Sequence, residues 1–193
     1  MSVAPPRVTG QDGDVHFAFV SGNPALDLVA TVESRRDQPR DLLTTPADLE
    51  QWVTACDELP DQVSIDAPAL ADALLLREAI HQLALDRMHG RRYDPAGLDI
   101  LNDAAAGPLP ALRLEDAGIH RTGDLTSALT HIARGAITLL ADPRTCLKEC
   151  GRPSCTRLYL DRSRGARRSW CGMQSCGNRV KAAAYRARKN TTP

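Results

Sequence analysis

The chain has 193 residues, of which 42% are hydrophobic, 25% charged and 4% aromatic. This composition is typical of a folded globular protein and excludes a chain that is disordered throughout. The opening residues lack the basic start and apolar run of a signal peptide. No apolar run approaches the roughly 20 residues that span a bilayer, so the sequence predicts no membrane association and a cytoplasmic location.

The formal net charge of zero hides an uneven distribution. Residues 1–143 hold 11 basic and 22 acidic side chains, whereas residues 144–193 hold 13 basic and 2 acidic ones. If four of its cysteines bind zinc as thiolates, the second segment still has a net charge of about +9. This asymmetry favours a polyanion as partner, with an electrostatic dock between the two halves as the alternative. We expect a flexible tail over residues 1–14, an acidic domain over 15–143 and a basic domain over 144–193.

Most of the acidic domain is predicted to be helical. Alternation over residues 15–20 predicts a short strand, and the charged residues 33–40 predict a loop. Apolar spacing and capping residues place the helices. They are expected over residues 24–32 with Asn23 as the cap, from Thr45 to Cys56, over 69–89, over 94–106 after Asp94, and over 125–141 after Asp124. Between the last two, residues 109–121 alternate around a turn and predict a β-hairpin.

Four cysteines in the basic domain are spaced as metal ligands. Four residues separate Cys150 from Cys155 and Cys171 from Cys176, and 15 residues lie between the two pairs. Two such pairs can surround one tetrahedral ion. The segment has few apolar residues, and metal binding can supply roughly 10 kcal/mol of folding free energy. The sequence therefore predicts one Zn²⁺ ion, with two disulfides or an iron–sulfur cluster as alternatives.

The predicted zinc ion is structural, because four thiolates leave no open position for water or substrate. We interpret Cys146 as a residue at a helix end and Cys56 as a buried core residue. Turn-forming residues at both pairs and the spacing between them predict a knuckle, a short hairpin between the pairs and a terminal helix. This arrangement is treble-clef-like.

The basic residues around the cysteines predict nucleic-acid binding. The residues after Cys176 are rich in Ala, Arg and Lys and favour a helix. Arginines and lysines neutralise phosphates, while Asn178, Lys181 and Tyr185 on the helix could contact base edges. The candidate contacts are Arg162, Arg164, Arg167, Arg168, Asn178, Arg179, Lys181, Tyr185, Arg186, Arg188 and Lys189.

Residues Asp161 to Arg179 resemble the CGNR zinc-finger family, named for the tetrapeptide Cys176-Gly177-Asn178-Arg179. The resemblance covers roughly residues 147–188 and implies the same four cysteine ligands. The N-terminal region is similar to the ABATE domain, which usually precedes this finger in bacterial proteins described as stress-induced transcription regulators. The matching segments are Gly22, residues 25–29 with Thr31, residues 43–46, Leu49, Trp52 and residues 76–80.

Catalytic chemistry is not predicted. The five histidines are scattered, and neither a phosphate-binding glycine loop nor a serine elbow is present. Asn23, Asp27 and Arg77 could line a pocket for a small-molecule effector in the acidic domain. The alternative for the last two is a structural Asp–Arg pair.

We therefore expect an α+β protein whose mostly helical N-terminal domain, with its short hairpin, precedes a small zinc finger with four cysteine ligands. The expected function is that of a zinc-dependent, nucleoid-associated DNA-binding transcription regulator. Its N-terminal domain would sense a ligand or form a homodimer, since a single finger buries little surface on DNA. One alternative is an RNA- or ribosome-binding stress factor. Another is an enzyme with its site in the N-terminal domain and the finger as a docking element.

Overall fold

The computed structural model describes residues 17–182 and Arg186, which form helices and three small antiparallel strand pairs. The helices are α1 (Pro24–Val29), α2 (Pro46–Ala55), α3 (Ala67–Met88), α4 (Pro95–Ala105) and α5 (Leu125–Ala141). The strand pairs are β1 (Val32–Glu33) with β2 (Arg40–Asp41), β3 (Ala111–Glu115) with β4 (Gly118–Thr122), and β5 (Leu147–Glu149) with β6 (Leu158–Leu160). The predicted α+β fold, helical in its N-terminal part, is confirmed.

Each of the helices α1 to α5 begins after a side chain that accepts a hydrogen bond from an N–H of the first turn. At α2 the Thr45 hydroxyl accepts from the N–H of Asp48, and the Asp48 carboxylate accepts from the N–H of Thr45. This reciprocal pair satisfies two backbone donors that the helix leaves open. Helix α3 is capped by Asp66, so it begins two residues before the predicted start. The remaining caps are the predicted ones, Asn23, Asp94 and Asp124.

Helix α3 lies at the centre of the hydrophobic core and packs against each of the other four helices. Its Leu76, Ile80 and Leu83 are almost completely buried, as are Leu28 of α1 and Trp52 of α2. The helices around α3 therefore enclose one continuous core. None of the helices in the described part of the chain is long and apolar enough to cross a membrane.

Strands β5 and β6 extend this core into the cysteine-rich segment. Leu158 is 1% exposed and belongs to the same cluster as the helices, and Leu147 and Leu160 pack against it. The backbone N–H of Leu160 donates to the carbonyl of Ser21 at 2.8 Å. The cysteine-rich segment is therefore joined to the helical part by buried apolar surface.

Two ion pairs flank this contact. Arg36 lies 2.5 Å from Glu149, and Arg157 lies 2.9 Å from Glu33. In the first pair the arginine belongs to the acidic N-terminal half and the glutamate to the basic C-terminal half. In the second pair the glutamate belongs to the N-terminal half and the arginine to the C-terminal half. We call the contact of residues 20–36 with residues 147–162 the seam.

The strand predicted over residues 15–20 is wrong for the residues that the structure describes. Residues 17–20 have no regular structure. The N–H of Val20 donates to the Asp27 carboxylate at 3.1 Å instead of to a neighbouring strand. Val15 and His16 lie outside the described residues.

The loop predicted over residues 33–40 is bounded by a short strand pair. Helix α1 ends at Val29, three residues before the predicted end, and the chain then enters β1. Glu33 pairs with Arg40 and Val32 pairs with Asp41. Pairing between residues at the two ends of the segment closes the loop. The local charge pattern could not indicate this pairing.

Candidate metal centre and basic surface

Four buried cysteine side chains meet in the C-terminal segment. The Sγ atoms of Cys150, Cys155, Cys171 and Cys176 all lie within 4.8 Å of one another. The Sγ atom of Cys171 lies 3.9 Å from that of Cys155 and 3.6 Å from that of Cys176. Zn–S bonds of about 2.3 Å at tetrahedral angles separate the sulfurs by roughly 3.8 Å, whereas a disulfide bond is about 2.05 Å long. The four side chains therefore fit one zinc ion and not two disulfides.

The first cysteine pair lies in the turn between β5 and β6. The N–H of Cys150 donates to the carbonyl of Arg157 at 2.9 Å, and the N–H of Cys155 donates to the carbonyl of Arg152 at 2.8 Å. These bonds close a tight knuckle. The hairpin predicted between the two cysteine pairs is misplaced, because β5 precedes the first pair and only β6 lies between the pairs.

A π-helical turn carries Cys176, and Cys171 lies two residues before the turn. It spans Met173–Gly177, and within it the N–H of Cys176 donates to the carbonyl of Gly172 at 3.1 Å. The chain continues as a helix over residues 178–182, which confirms the predicted terminal helix for these residues. The N–H of Cys171 donates to the Sγ atom of Cys150 at 3.5 Å and so links the two pairs.

The cysteines form a small hydrophobic cluster with Tyr159 and Trp170. Gly151 is required for this packing, because a Cβ atom there would lie 3.0 Å from the carbonyl oxygen of Ser169 and 3.2 Å from the Trp170 ring. The N–H of Gly151 donates to the same carbonyl at 2.8 Å. So small a cluster supplies little hydrophobic stabilisation, which leaves metal binding as the main source of stability.

The Cys171 thiol resists ionisation when no cation is bound. A hydrogen bond to Cys155, burial and the charges of the neighbouring sulfurs raise the pKa of Cys171 above its ordinary value. A divalent cation reverses this effect, because it binds thiolates and stabilises their charge. The site therefore suits a metal ion better than four free thiols.

The other two cysteines lie outside this site. Burial raises the pKa of Cys56 to about 12, as expected of a thiol in the hydrophobic core. Cys146 directly precedes β5 and is not at a helix end, since α5 ends at Ala141. It is not among the four clustered cysteines.

An ion pair beside the zinc site holds residues 162–168, which we call the arginine loop. Lys148 donates to the Asp161 carboxylate at 2.7 Å and to the carbonyls of Ala166 and Arg168. Asp161 is buried and also accepts from the N–H and hydroxyl of Ser163. Burial alone would raise the pKa of Asp161, but the hydrogen bonds from Lys148 and Ser163 hold it well below its usual range. Sequence reasoning did not single out Lys148, because its strand was not predicted and its partner Asp161 lies 13 residues away in the chain.

Arg168 faces the interior. Its guanidinium donates to the carbonyls of Trp170 and Cys171 and lies 4.6 Å from the centroid of the Tyr159 ring. A cation over an aromatic face is attracted by the ring quadrupole. Arg168 therefore stabilises the finger and is not placed as a phosphate contact.

The other described candidate contacts are exposed. Arg162 donates to the carbonyl of Gly22 at 3.0 Å, so it anchors the loop to the seam while keeping its outer face in solvent. Tyr185, Arg188 and Lys189 lie outside the described residues. The exposed candidates are Arg162, Arg164, Arg167, Asn178, Arg179, Lys181 and Arg186.

Comparison with known families agrees with this geometry. A family model described as "Putative stress-induced transcription regulator" (ABATE) matches residues 22–143, more than half of the chain. The chain belongs to the ABATE family. A CGNR zinc-finger model matches residues 146–189, which contain the four cysteines and the arginine loop. No curated protein matches the chain. The predicted ABATE and CGNR architecture and the single structural zinc site are thereby confirmed.

The residues predicted to line a pocket in the ABATE region bind separate partners. Asn23 caps α1 and lines an open cavity of about 440 Å³ beside α5. Asp27 accepts from the N–H of Ser21 at 3.0 Å. Arg77 makes two hydrogen bonds of 2.7 Å with Asp41. The structure does not bring the three together, and the structural pair of Arg77 is with Asp41.

Replacing one zinc ligand should remove the metal and unfold the finger. In Cys171→Ser we expect the zinc content to fall from one ion per chain to near zero and the C-terminal segment to become sensitive to protease. Zinc binding contributes roughly 10 kcal/mol or more to the folding of such segments. Cys146→Ser is the matched control and should keep its zinc. Equal zinc in both variants, measured by elemental analysis, would contradict the assignment of ligands.

Asp27 should make stability depend on pH. Burial raises the pKa of Asp27 to about 6, although hydrogen bonds from Ser21 and Val20 oppose the rise. Since the folded state binds the proton more tightly, the contribution is fully present below the unfolded pKa and is lost as pH rises through about 6. Asp27→Asn, which keeps the accepting oxygen without a charge, should abolish this decline in denaturant titrations.

Asp48→Asn is the control of opposite sign. Desolvation alone would raise the pKa of Asp48, but hydrogen bonds from Thr44 and Thr45 outweigh it and lower the pKa, so the contribution of Asp48 is lost as pH falls. If the stability of Asp27→Asn falls toward high pH as steeply as that of the wild type, this role of Asp27 is ruled out.

Proposed function

We propose that this chain is a zinc-dependent DNA-binding transcription regulator of the ABATE family. The observation that carries the proposal is the arginine loop, which Lys148 and Asp161 hold against the zinc cluster while Arg164 and Arg167 remain exposed. Guanidinium groups on such a preorganised loop neutralise phosphates at a low cost in entropy.

The charge of the finger remains available for a partner. Of the basic residues after position 143 that the structure describes, only Arg144 and Arg157 pair with an acid of the ABATE region. Docking of the two halves therefore leaves most of the positive charge unneutralised. This supports the polyanion interpretation over the internal electrostatic dock.

The helix after the second cysteine pair supplies the proposed base contacts. Asn178 and Lys181 are exposed on its first turns. An amide and an ammonium group can each recognise base edges in a major groove. In the proposal the exposed Arg186 continues this surface, with the arginine loop on the flanking phosphates. The proposal also assigns nucleic-acid contacts to Tyr185, Arg188 and Lys189, which lie outside the described residues.

Neutralising the exposed loop arginines should weaken DNA binding without changing its sequence preference. A plot of log K against log salt has a negative slope. Arg164→Gln and Arg167→Gln should each reduce the magnitude of this slope by about one, because each removes one phosphate contact. Arg113→Gln, an exposed arginine on β3, is the matched control and should leave the slope unchanged. Fluorescence anisotropy on a duplex selected from a random pool provides the measurement.

Two results would contradict the proposal. The first is a selection that recovers the same duplexes in the presence of a chelator that removes the zinc. The second is displacement of the duplex by structured RNA at matched salt with no displacement in the other direction, which would make RNA the partner.

We also propose that the chain forms a homodimer through β3 and β4. Leu112, Leu114 and Ile119 are 68%, 84% and 55% exposed. Leu114 pairs with Ile119, and Leu112 lies two residues away on the same face of the hairpin. The hairpin carries two acidic and two basic side chains, so a second copy meets no net repulsion there, unlike at the finger. Two fingers would also supply the DNA contact area that one lacks.

A charge on this face should separate the dimer. Leu114→Lys should shift sedimentation from dimer to monomer, because two lysines would face each other across a two-fold contact. Leu75→Lys, at an exposed leucine on α3, is the matched control and should stay dimeric. A wild-type chain that sediments as a monomer at every concentration would refute the dimer.

A further inference from the structure

A small polar pocket lies at the seam, where the ABATE region meets the knuckle. Its volume is about 180 Å³. Three guanidinium groups contribute to its lining, together with one carboxylate and several hydroxyls. The lining includes Arg152, Arg157, Arg179, Glu33 and Thr156. We call this the seam pocket.

Two arginines of the seam pocket each have one buried donor without an acceptor. The Nε atoms of Arg152 and Arg157 are buried and have no hydrogen-bond partner among the described residues. The only carboxylate in the lining, Glu33, is already bound by Arg157 at 2.9 Å. Buried donors without partners are rare in folded proteins and are costly. A ligand in the cavity would meet the terminal nitrogens of these arginines, because the two Nε atoms are inaccessible. Three arginines around one cavity with a single carboxylate among its described lining residues point to an anionic ligand.

The zinc site does not supply the acceptors that these arginines lack. A tetrathiolate with Zn²⁺ has two net negative charges, and Cys155 forms part of the pocket wall, so the centre attracts the arginines. Thiol sulfur is, however, a weak hydrogen-bond acceptor. The donors of Arg152 are therefore best satisfied by oxygen atoms.

We propose that the seam pocket binds a phosphoryl group. Phosphate oxygens match the planar fork of a guanidinium, and several arginines around one anion are the usual way in which proteins bind it. The hydroxyl of Thr156 accepts from the N–H of Arg35 at 3.1 Å, which leaves its own proton to donate. The group belongs either to a small phosphorylated molecule or to a nucleic-acid backbone.

Binding here would connect three parts of the chain. Glu33 belongs to β1, Arg152 and Arg157 to the knuckle between β5 and β6, and Arg179 to the helix that follows Cys176. A phosphoryl group between them fixes that helix relative to the ABATE region. Only the orientation of this helix for DNA binding rests on the proposed function. Phosphate binding in the seam pocket does not depend on it.

The test titrates inorganic phosphate into the zinc-loaded full chain by calorimetry, with ionic strength held constant by sodium chloride. We expect saturable binding that Arg152→Gln weakens about tenfold or more, through loss of charge-assisted hydrogen bonds. Arg152→Lys should recover part of it. Arg113→Gln removes the same charge from an exposed position on β3 and should leave phosphate binding unchanged. If Arg152→Gln loses zinc, Arg179→Gln takes its place.

Absence of saturable phosphate binding in the wild type would overturn the proposal, as would equal weakening by Arg152→Gln and Arg113→Gln. Pre-saturation with duplex DNA distinguishes the two sources. Loss of phosphate binding assigns the pocket to a backbone phosphate, and unchanged binding assigns it to a small phosphorylated molecule. A chain that binds phosphate but no duplex would refute the proposed function and leave the pocket standing, whereas the reverse result would refute the pocket alone.

Discussion

Zinc bound by four thiolates holds together a segment that has almost no hydrophobic core of its own. Around the sulfurs only Tyr159 and Trp170 form a separate apolar cluster, and Gly151 allows the backbone to approach closely enough to complete it. Because the buried Cys171 thiol resists ionisation when no cation is bound, the arrangement depends on the cation. Everything else in the finger is positioned relative to this centre.

The buried carboxylate of Asp161 transmits that order to the surface. It accepts from Lys148, from Ser163 and from the backbone of Arg168, and so fixes both ends of the arginine loop. Arg168 then points inward over Tyr159, and Arg164 points to solvent. Arginines in one short run thus have different tasks, because the loop that carries them has a fixed conformation.

The seam makes the two family-defined regions depend on each other. Leu158 lies in the core of the helical part although it belongs to the finger, and Ser21 accepts a backbone hydrogen bond from the finger strand. The same contact places Glu33 beside the arginines of the knuckle. A ligand or a partner that changes one region therefore acts on a surface shared with the other. In the proposed function, this shared surface is the route by which the ABATE region acts on the finger.

Local patterns determined much of this protein in advance. The caps at Asn23, Thr45, Asp94 and Asp124, the β3–β4 hairpin and the four cysteine ligands follow from spacing and turn chemistry, because each depends on residues close together in the chain. Long-range contacts decided the rest. The partner strand of β6, the pairing of Arg77 with Asp41, the inward turn of Arg168 and the anchoring by Lys148 join residues whose contact no local pattern specifies. The sequence by itself thus determined that a zinc ion and a basic surface exist, and only the tertiary structure decided which arginines that surface presents, since burial and hydrogen bonding are settled when distant segments pack together.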